Sequence, residues 1–244
     1  MHPKVWLEGP YVASVPPLMR DDLRANLLLP STEPYTALGF THVAGGGGEQ
    51  IAAGVLSVTG ANAVVDWVLL QARSTTPPHA VLATRSALLQ RDGDIVGVDG
   101  VSPVLLQVAP GPYHLAVLHR NHFGAMTADP VLLGSTPLTV DFRAAETDTY
   151  GIDARKFDQG TWKLWAGNAR KDAIMKYIGA DNDRDPILTV VGGSIPTAII
   201  TGYYMEDTNL SGVVKYTGAE NDRDIILLNI GGSIPTNTKL EQLP

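Results

Sequence analysis

One long internal repeat dominates the C-terminal third of this sequence. The segment KYIGADNDRDPILTVVGGSIPT, which begins at Lys176, returns 39 residues later as KYTGAENDRDIILLNIGGSIPT, which begins at Lys215. Both segments are acidic and rich in glycine, and each contains a short apolar run. We therefore predict a two-copy repeat module over residues 161–244, with copies at about 168–200 and 207–238.

The residues before the repeats consist of short apolar or alternating runs separated by glycine and proline. Six of these runs are typical of strands: 64–73, 79–90, 94–100, 103–109, 113–120 and 137–142. The turn signals RDGD and PGPY separate them, because glycine supplies positive φ and proline presets φ. This pattern predicts an Ig-like antiparallel β-sandwich over residues 1–142. Residues 143–160 are polar without periodicity, which predicts a domain linker.

Two segments depart from the strand pattern. Leucines and a methionine recur at helical spacing within 16–30, which favours a short helix or helical turn. Residues 42–50 are so rich in glycine that we expect a loop. The sequence thus predicts a mainly β domain followed by a repeat module with short helices.

Composition limits the classes of partner. The chain of 244 residues has 25 acidic and 18 basic residues, and its net charge of −7 argues against nucleic acid, which requires a basic face. Cysteine is absent, so disulfides, thiolate metal sites and thiolate nucleophiles are excluded. No apolar run approaches the roughly 20 residues that cross a bilayer. No signal peptide is visible, so an exported form would be a mature or excised piece.

The second copy opens with a pattern typical of calcium loops. Asp207, Asn209 and Ser211 place an oxygen at every other position, and Gly212 follows them. In EF-hand-type loops such side chains converge on one cation, glycine makes the sharp turn, and the seventh position, here Val213, offers its backbone carbonyl. The alternative is that these Asp and Asn side chains only cap turns.

The calcium hypothesis needs an acidic residue near the start of a helix to complete the coordination. The run NDRDIILLNIGG predicts such a helix, with carboxylates at its N-terminus and glycines at its end. We expect Asp224 to be the closing ligand, with Asn221 and Asp222 as alternatives. With a bidentate Asp224 and one water, the coordination number is about seven, which is within the usual range for Ca²⁺.

The first copy departs from this pattern at the ligand positions. Asn168 and Asp172 occupy the first and fifth positions, and Asp183 and Asp185 follow as acidic candidates. Arg170 takes the third position and an alanine replaces the glycine. Because a guanidinium has only donors, it cannot bind a cation. We predict that Arg170 neutralises Asp183 or Asp185, so that an ion pair replaces calcium in this copy.

Two resemblances follow from these residues. The pair of calcium-type half-loops with helices resembles a dockerin, although the insertion KYTGAEN lengthens the loop. Several segments also resemble the C-terminal region of large exported Bacteroidetes proteins described as hemagglutinin-like: LEGPY, LLPSTEPYTALGF, VVDWVLLQAR, HRNHFGAMTA, LWAGNA, KYTGAENDRDIILLNIGGSIPTNT and QLP. The resemblance implies a surface-exposed or secreted protein of adhesion or extracellular structure, without an established catalytic residue.

Other chemistry-bearing residues give weaker signals. His114, His119 and His122 could suggest zinc, but alternation places the first two on opposite strand faces, so we expect hydrogen-bonded turn histidines. Glu8 and Asp66 could form an acid–base pair only if the fold joins them. No nucleophile elbow or phosphate loop is present. We predict that the protein is not an enzyme.

The aromatic segment TWKLWAG leaves two functions open. Trp162 and Trp165 could stack on a sugar, or they could pack the repeats against the sandwich, which we favour. We predict a non-catalytic extracellular structural or adhesive protein, stabilised by calcium. Its strand-like ends KVWLEGPY and PTNTKLEQLP favour self-association into a surface fibre. A carbohydrate-binding module is the alternative, with glycans as partners.

Overall fold

The computed structural model describes residues 1–244, and its secondary structure is mainly β. The strands are β1 His2–Lys4, β2 Tyr11–Val12, β3 Leu18–Met19, β4 Val64–Arg73, β5 Val81–Gln90, β6 Ile95–Val96, β7 Gly111–Leu118, β8 Ala125–Met126, β9 Val131–Leu133, β10 Thr139–Asp141, β11 Arg155–Asp158, β12 Thr161–Leu164, β13 Ile174–Lys176, β14 Ile199–Thr201, β15 Val213–Lys215 and β16 Thr238–Leu240. The helices are α1 Asp22–Ala25, α2 Arg184–Val190 and α3 Asp222–Asn229. The prediction of a mainly β fold is confirmed.

One antiparallel sheet of six strands forms the centre of the molecule. Its order is β6-β5-β4-β7-β8, and β9 pairs with a different part of β7. Every residue of β4 is buried, which fits its nearly continuous apolar sequence and its central position. The bounds of β4 are those that the sequence predicts. Around this sheet lies a core of 32 buried apolar residues.

The other strands form two-stranded pairs. They are the parallel pair β1–β10 and the antiparallel pairs β2–β3, β11–β12, β13–β16 and β14–β15. The hairpin β11–β12 begins inside the predicted linker. The guanidinium of Arg155 there donates to the carbonyls of Phe142 and Ala144, at 2.7 and 3.0 Å. The residues between the predicted domains also contact the sheet, since the N–H of Tyr150 donates to the carbonyl of Met126 in β8 at 2.8 Å.

Two predicted elements differ in the structure. Residues 103–109 form no strand. Prolines at 103 and 110 remove two backbone donors, and Val104 exchanges hydrogen bonds with Met1 instead. The helix expected within 16–30 is limited to α1, because Leu27 adopts a left-handed φ of 58°.

The two repeats share a second, smaller core of nine buried residues. It includes Ile187 of α2, Ile226 of α3 and Phe123 from the loop after β7. The strand after each copy pairs with the other copy: β14 pairs with β15, and β16 pairs with β13. The repeats thus form one intertwined module that packs on the sheet domain.

The three α-helices contain four, seven and eight residues. No helix has the length and apolar character needed to cross a membrane.

Candidate functional site

The turn at the start of the second copy is built around the carboxylate of Asp207. This carboxylate is buried and accepts the backbone N–H of Ser211 at 2.9 Å and that of Gly212 at 2.8 Å. The side-chain oxygen of Asn209 accepts the same N–H of Ser211 at 2.9 Å. The Ser211 hydroxyl lies 3.1 Å from the carbonyl oxygen of Val213. The turn therefore gathers carboxylate, amide, hydroxyl and carbonyl oxygens within seven residues.

Asp222 is the second carboxylate of this turn. It is fully buried and accepts the backbone N–H groups of Thr208 and Lys215, each at 2.8 Å. Asp224 instead accepts the amide of Asn221 at 2.7 Å, and its side chain is 58% exposed. In this structure Asp222, one of the alternatives, faces the loop, whereas the expected ligand Asp224 lies at the helix surface. Asn221 takes the N-cap of α3, which holds Asp224 at the helix surface and turns Asp222 towards the loop.

The two carboxylates of the turn disfavour each other's ionised form. Burial, together with the nearby Asp207, raises the pKa of Asp222 to about 7. Burial also raises the pKa of Asp207, and the guanidinium of Arg120 partly opposes this rise. A cation bound between these groups would relieve their repulsion.

The donor set of this turn fits calcium in its chemistry. Asp207, Asp222, Asn209 and Ser211 offer only hard oxygen ligands, which Ca²⁺ prefers. Both oxygens of Asp207 and Oδ2 of Asp222 each accept one backbone N–H, which leaves a lone pair on each for a cation. Oδ1 of Asp222 is more fully occupied, by two N–H groups and the Thr208 hydroxyl. In the structure no three His, Cys, Asp or Glu side chains converge in the arrangement of a metal site. The fit therefore rests on ligand type and on the buried negative charge.

The first copy repeats the same scaffold without the first carboxylate. Asn168, in the position of Asp207, accepts the backbone N–H of Asp172 at 3.1 Å. Asp183 is fully buried and accepts the N–H groups of Arg170 and Lys176 at 3.1 and 2.8 Å. Burial, with a contribution from Asp172, raises the pKa of Asp183 to about 7. One buried carboxyl group thus occupies this turn, where the second copy has two, and the carboxylate of Asp172 is partly exposed.

The predicted ion pair of Arg170 has different partners. Its guanidinium lies 3.0 Å from the carboxylate of Asp181 and 3.7 Å from that of Asp172, at the surface. Asp183 is fully buried and accepts the backbone N–H of Arg170, not its guanidinium. Asp185 accepts the amide of Asn182 at 2.8 Å. The expected neutralisation of Asp183 or Asp185 by direct pairing is therefore wrong.

A buried ionic cluster joins the sheet to the repeats, and sequence reasoning missed it. Asp66 of β4 accepts hydrogen bonds from Arg120 at 3.0 Å, from His119 at 3.1 Å and from the hydroxyl of Tyr203 at 2.7 Å. Burial alone would raise the pKa of Asp66, but Arg120 and the hydrogen bonds of His119 and Tyr203 hold it at about 2. The signal in the sequence was an aspartate inside the apolar run VVDWVLLQ.

The ring nitrogens of the two histidines after β7 all lie within hydrogen-bond distance of a partner. His119 Nε2 lies 3.1 Å from Oδ2 of Asp66, and His119 Nδ1 lies 3.1 Å from Nδ1 of His122. His122 Nε2 accepts the N–H of Gly9 at 3.2 Å, so its proton must be on Nδ1. Burial lowers the pKa of both imidazoles, so both are neutral. His114 lies elsewhere and bonds the carbonyl of Thr127 at 2.9 Å.

The same loop fixes the second copy on the sheet. The amide of Asn121 donates to the carbonyls of Met205 and Asp207 at 2.8 and 2.7 Å. Arg120 also donates to the carbonyl of Tyr204, and its Nη2 is buried without a partner. The turn of residues 207–213, which we call the carboxylate turn, is therefore held by the sheet domain as well as by its own repeat. Glu8 does not bond Asp66 and instead pairs with Lys156.

The two tryptophans have different surroundings. The ammonium of Lys239 in β16 lies 3.6 Å from the ring centroid of Trp165, and the indole N–H donates to the carbonyl of Asp153 at 3.0 Å. Trp162 packs on Phe157 across the hairpin, with ring centroids 5.0 Å apart. Trp165 thus contacts β16 of the repeat module, whereas Trp162 packs within the hairpin.

Comparisons of this chain with family models, with curated proteins and with solved structures find no match.

Proposed function

We propose that the protein is a non-catalytic extracellular structural or adhesive protein whose repeat module is stabilised by calcium. The observation that carries this proposal is the turn of the second copy, where Asp207 and Asp222 are both buried. Two carboxylates in one small turn are costly to ionise unless a cation accompanies them. The turn is fixed to the sheet through Asn121, so an ion bound there would stiffen the joint between module and sheet.

Calcium would be held by the side chains of Asp207, Asp222, Asn209 and Ser211. When bound, it would supply the positive charge that keeps both carboxylates ionised. A site with an amide and a hydroxyl among its ligands belongs to the weak end of the calcium range, at about 10⁻⁴–10⁻³ M. Extracellular modules work in that range, which supports the proposed location outside the cell.

Thermal unfolding in EDTA and in millimolar calcium tests the calcium site. A ligand that binds only the folded state adds RT ln(1 + [L]/Kd), which is about 1.4 kcal/mol when its concentration is ten times Kd. We expect calcium to raise the Tm of the natural chain and magnesium to raise it less. The variant Asp207→Asn, which copies Asn168 of the first repeat, should lose this response.

The matched control is Asp224→Asn. Asp224 lies at the surface of α3 and outside the turn, so this variant should keep the calcium response. If the natural chain melts at the same temperature in EDTA and in calcium, the calcium part of the proposal is lost. If Asp224→Asn alone loses the response, the assignment of Asp222 as the second carboxylate is lost instead.

We also propose self-association as the mode of action, with a surface fibre as the assembled form. Its support is the set of short two-stranded pairs, whose outer strands leave backbone groups available to another chain. Large side chains such as Leu105 and Leu132, outside these pairs, are also more than 70% exposed. Light scattering and electron microscopy over a range of protein concentrations test it. A chain that remains monomeric at every concentration would contradict this part.

Carbohydrate binding is the second candidate, and one observation favours it. Phe157 is 60% exposed beside Trp162 on the hairpin surface, and such aromatic pairs can stack on sugar rings. Trp165 is less suitable, because the ammonium of Lys239 covers its ring. A glycan array with the natural chain, Phe157→Ala and Trp165→Ala tests this function. Binding that only Phe157→Ala abolishes would support it.

A further inference from the structure

The two repeats exchange strands in an equivalent way. β14 follows the first copy and pairs with β15 of the second, while β16 follows the second copy and pairs with β13 of the first. Ile199 lies opposite Lys215, and Thr238 lies opposite Lys176. These positions differ by the repeat length of 39 on both strands. The two antiparallel pairs therefore have the same register.

The hydrogen bond that follows each pair is also repeated. The N–H of Gly202 donates to the carbonyl of Gly212 at 3.0 Å, and the N–H of Glu241 donates to the carbonyl of Ala173 at 2.9 Å. Among the helices, α2 contacts β15 and α3 contacts β13, although α3 also contacts β15 of its own copy. Each copy thus offers an equivalent strand for pairing, β13 or β15, which we call its docking strand. The strand that pairs with it follows the other copy.

The direction of the two exchanges along the chain is different. β14 reaches forward to the next copy, whereas β16 reaches back to the first copy and closes the pair. A strand that reached forward from the second copy would need a further docking strand of the same kind. The β13 strand of a second molecule offers one, with identical residues and identical register.

The residues after β16 extend this contact onto the sheet domain. The carboxylate of Glu241 accepts the N–H of Gly124 at 2.7 Å, and Arg73 donates to the carbonyl of Pro244 at 2.8 Å. Lys239 lies between Trp165 and the carboxylate of Asp153. A strand that moved to a second molecule would carry all these contacts with it.

We propose that residues 238–244 form an exchange strand, which leaves β13 of its own chain and pairs with β13 of a second copy of the chain. The proposal rests on the self-association part of the proposed function, and it names the segment and the groove that make the contact. The exposed segment 231–237 between α3 and β16 is the hinge. Such an exchange is a low-cost route to assembly because it needs no new interface.

The balance between the closed and exchanged forms depends on protein concentration. The contacts are the same in both forms, so the closed form is favoured by the effective concentration of the strand near its own groove. That concentration is in the millimolar range for short flexible connections. A crowded surface, or anything that extends the hinge, shifts the balance towards exchange.

Disulfide trapping between single-cysteine variants tests the proposal, because the natural chain has no cysteine. Ile174 and Leu240 are partners in the β13–β16 pair, and Leu240 is 54% exposed. Ile174→Cys and Leu240→Cys are prepared separately, mixed in equal amounts, assembled at high concentration and then oxidised. We expect a disulfide-linked dimer that contains one chain of each variant and is absent when either variant is oxidised alone.

The matched control uses the equivalent pair inside the chain. Ile199→Cys and Lys215→Cys are partners in β14–β15, which should remain within one molecule. A mixture of these two variants should give no linked dimer. The double variant with Ile174→Cys and Leu240→Cys, oxidised while dilute, should stay monomeric and should assemble again after reduction.

The possible failures are distinguishable. Assemblies that form without a linked dimer would overturn the exchange strand but leave self-association in place. A chain that stays monomeric at every concentration would overturn both. If either cysteine variant fails to fold by circular dichroism, Lys176→Cys and Thr238→Cys provide a second pair in the same register and decide the question.

Discussion

The guanidinium of Arg120 donates to the carboxylate of Asp66 at 3.0 Å, and both side chains are fully buried. The same guanidinium lies 4.3 Å above the ring of Tyr203 and donates to the carbonyl of Tyr204. A single arginine thus joins the central strand of the sheet to the segment that leads into the second repeat. The positive charge of Arg120 also attracts the carboxylate of Asp207, so one guanidinium interacts with acidic groups of both the sheet domain and the repeat module.

Removal of this arginine should be strongly destabilising. Arg120→Ala leaves Asp66 buried with only neutral partners, and loss of one member of a buried pair costs about 3–5 kcal/mol. Chemical denaturation of the natural chain and the variant measures the change in free energy of unfolding. We expect the repeat module to separate first, because three of its contacts with the sheet depend on the loop that carries Arg120.

The control for this variant is Arg170→Ala. Its guanidinium pairs with Asp181 at the surface, where such pairs contribute about 0–1 kcal/mol. A small effect of Arg170→Ala beside a large effect of Arg120→Ala supports the role of burial. Equal effects would mean that Arg120 contributes no more than a surface ion pair.

Stability should depend on pH in two opposite ways. The folded-state pKa of Asp183 and Asp222 is raised to about 7, so the folded chain binds protons more tightly than the unfolded chain. Their contribution is present below pH about 4 and is lost as pH rises to about 7. The pKa of Asp66 is lowered to about 2, so its contribution is present above pH 4 and is lost as pH falls towards 2.

Denaturant titrations between pH 3 and 8 in EDTA measure this dependence. We expect the free energy of unfolding to be largest near pH 4–5 and to fall towards pH 7. Calcium should reduce the fall, because it favours the ionised form of Asp222, while Asp183 continues to contribute. A free energy of unfolding that rises steadily from pH 4 to pH 7 in EDTA would contradict the raised pKa values.

The sequence predicts well those elements whose pattern is local. The apolar run of β4 gives the strand its bounds, and the repeat of 39 residues predicts that Asp183 and Asp222 occupy equivalent sites. The run 103–109 is apolar like a buried strand, but a strand needs a neighbour with free backbone groups. No pattern in one segment shows whether that neighbour exists.

The sequence does not predict which of several adjacent residues faces a site. In NDRD of the second copy, the N-cap bond of Asn221 decides that Asp222 turns inwards and Asp224 outwards. The ion pair of Asp66 and Arg120 joins residues 54 positions apart, and only the tertiary fold brings them together. Buried charges within an apolar run indicate that a partner exists without identifying it.

Gly212 should be the residue of the carboxylate turn that least tolerates a side chain. It adopts a φ of +79°, and a Cβ there would lie 2.6 Å from Cδ1 of Leu28. Gly212→Ala should therefore lower stability by about 1–3 kcal/mol through strain and overpacking. Gly218→Ala is the control, since Gly218 has a φ of +90° with open space around its Cβ position. The difference between the two variants measures the contact with Leu28, and equal losses would mean that this contact is relieved by movement.

Lys239 should control how firmly the exchange strand is held. Its ammonium lies over Trp165 and pairs with Asp153, so Lys239→Met keeps most of the side-chain length and removes the charge. A cation–π contact of this kind contributes about 0.5–1 kcal/mol at a partly exposed site. We expect a small fall in Tm, a change in tryptophan fluorescence, and faster hydrogen exchange at residues 238–241. Lys176→Met, on the opposite strand, removes an ammonium whose bond is to the carbonyl of Ala180 at 3.4 Å, and it should change none of the three by a similar amount. The closed and exchanged forms make the same Lys239 contacts, so the variant weakens both forms equally. It should therefore open faster without a change in the final proportion of assembled chains. A large change in that proportion would show that the contacts of Lys239 differ between the two forms.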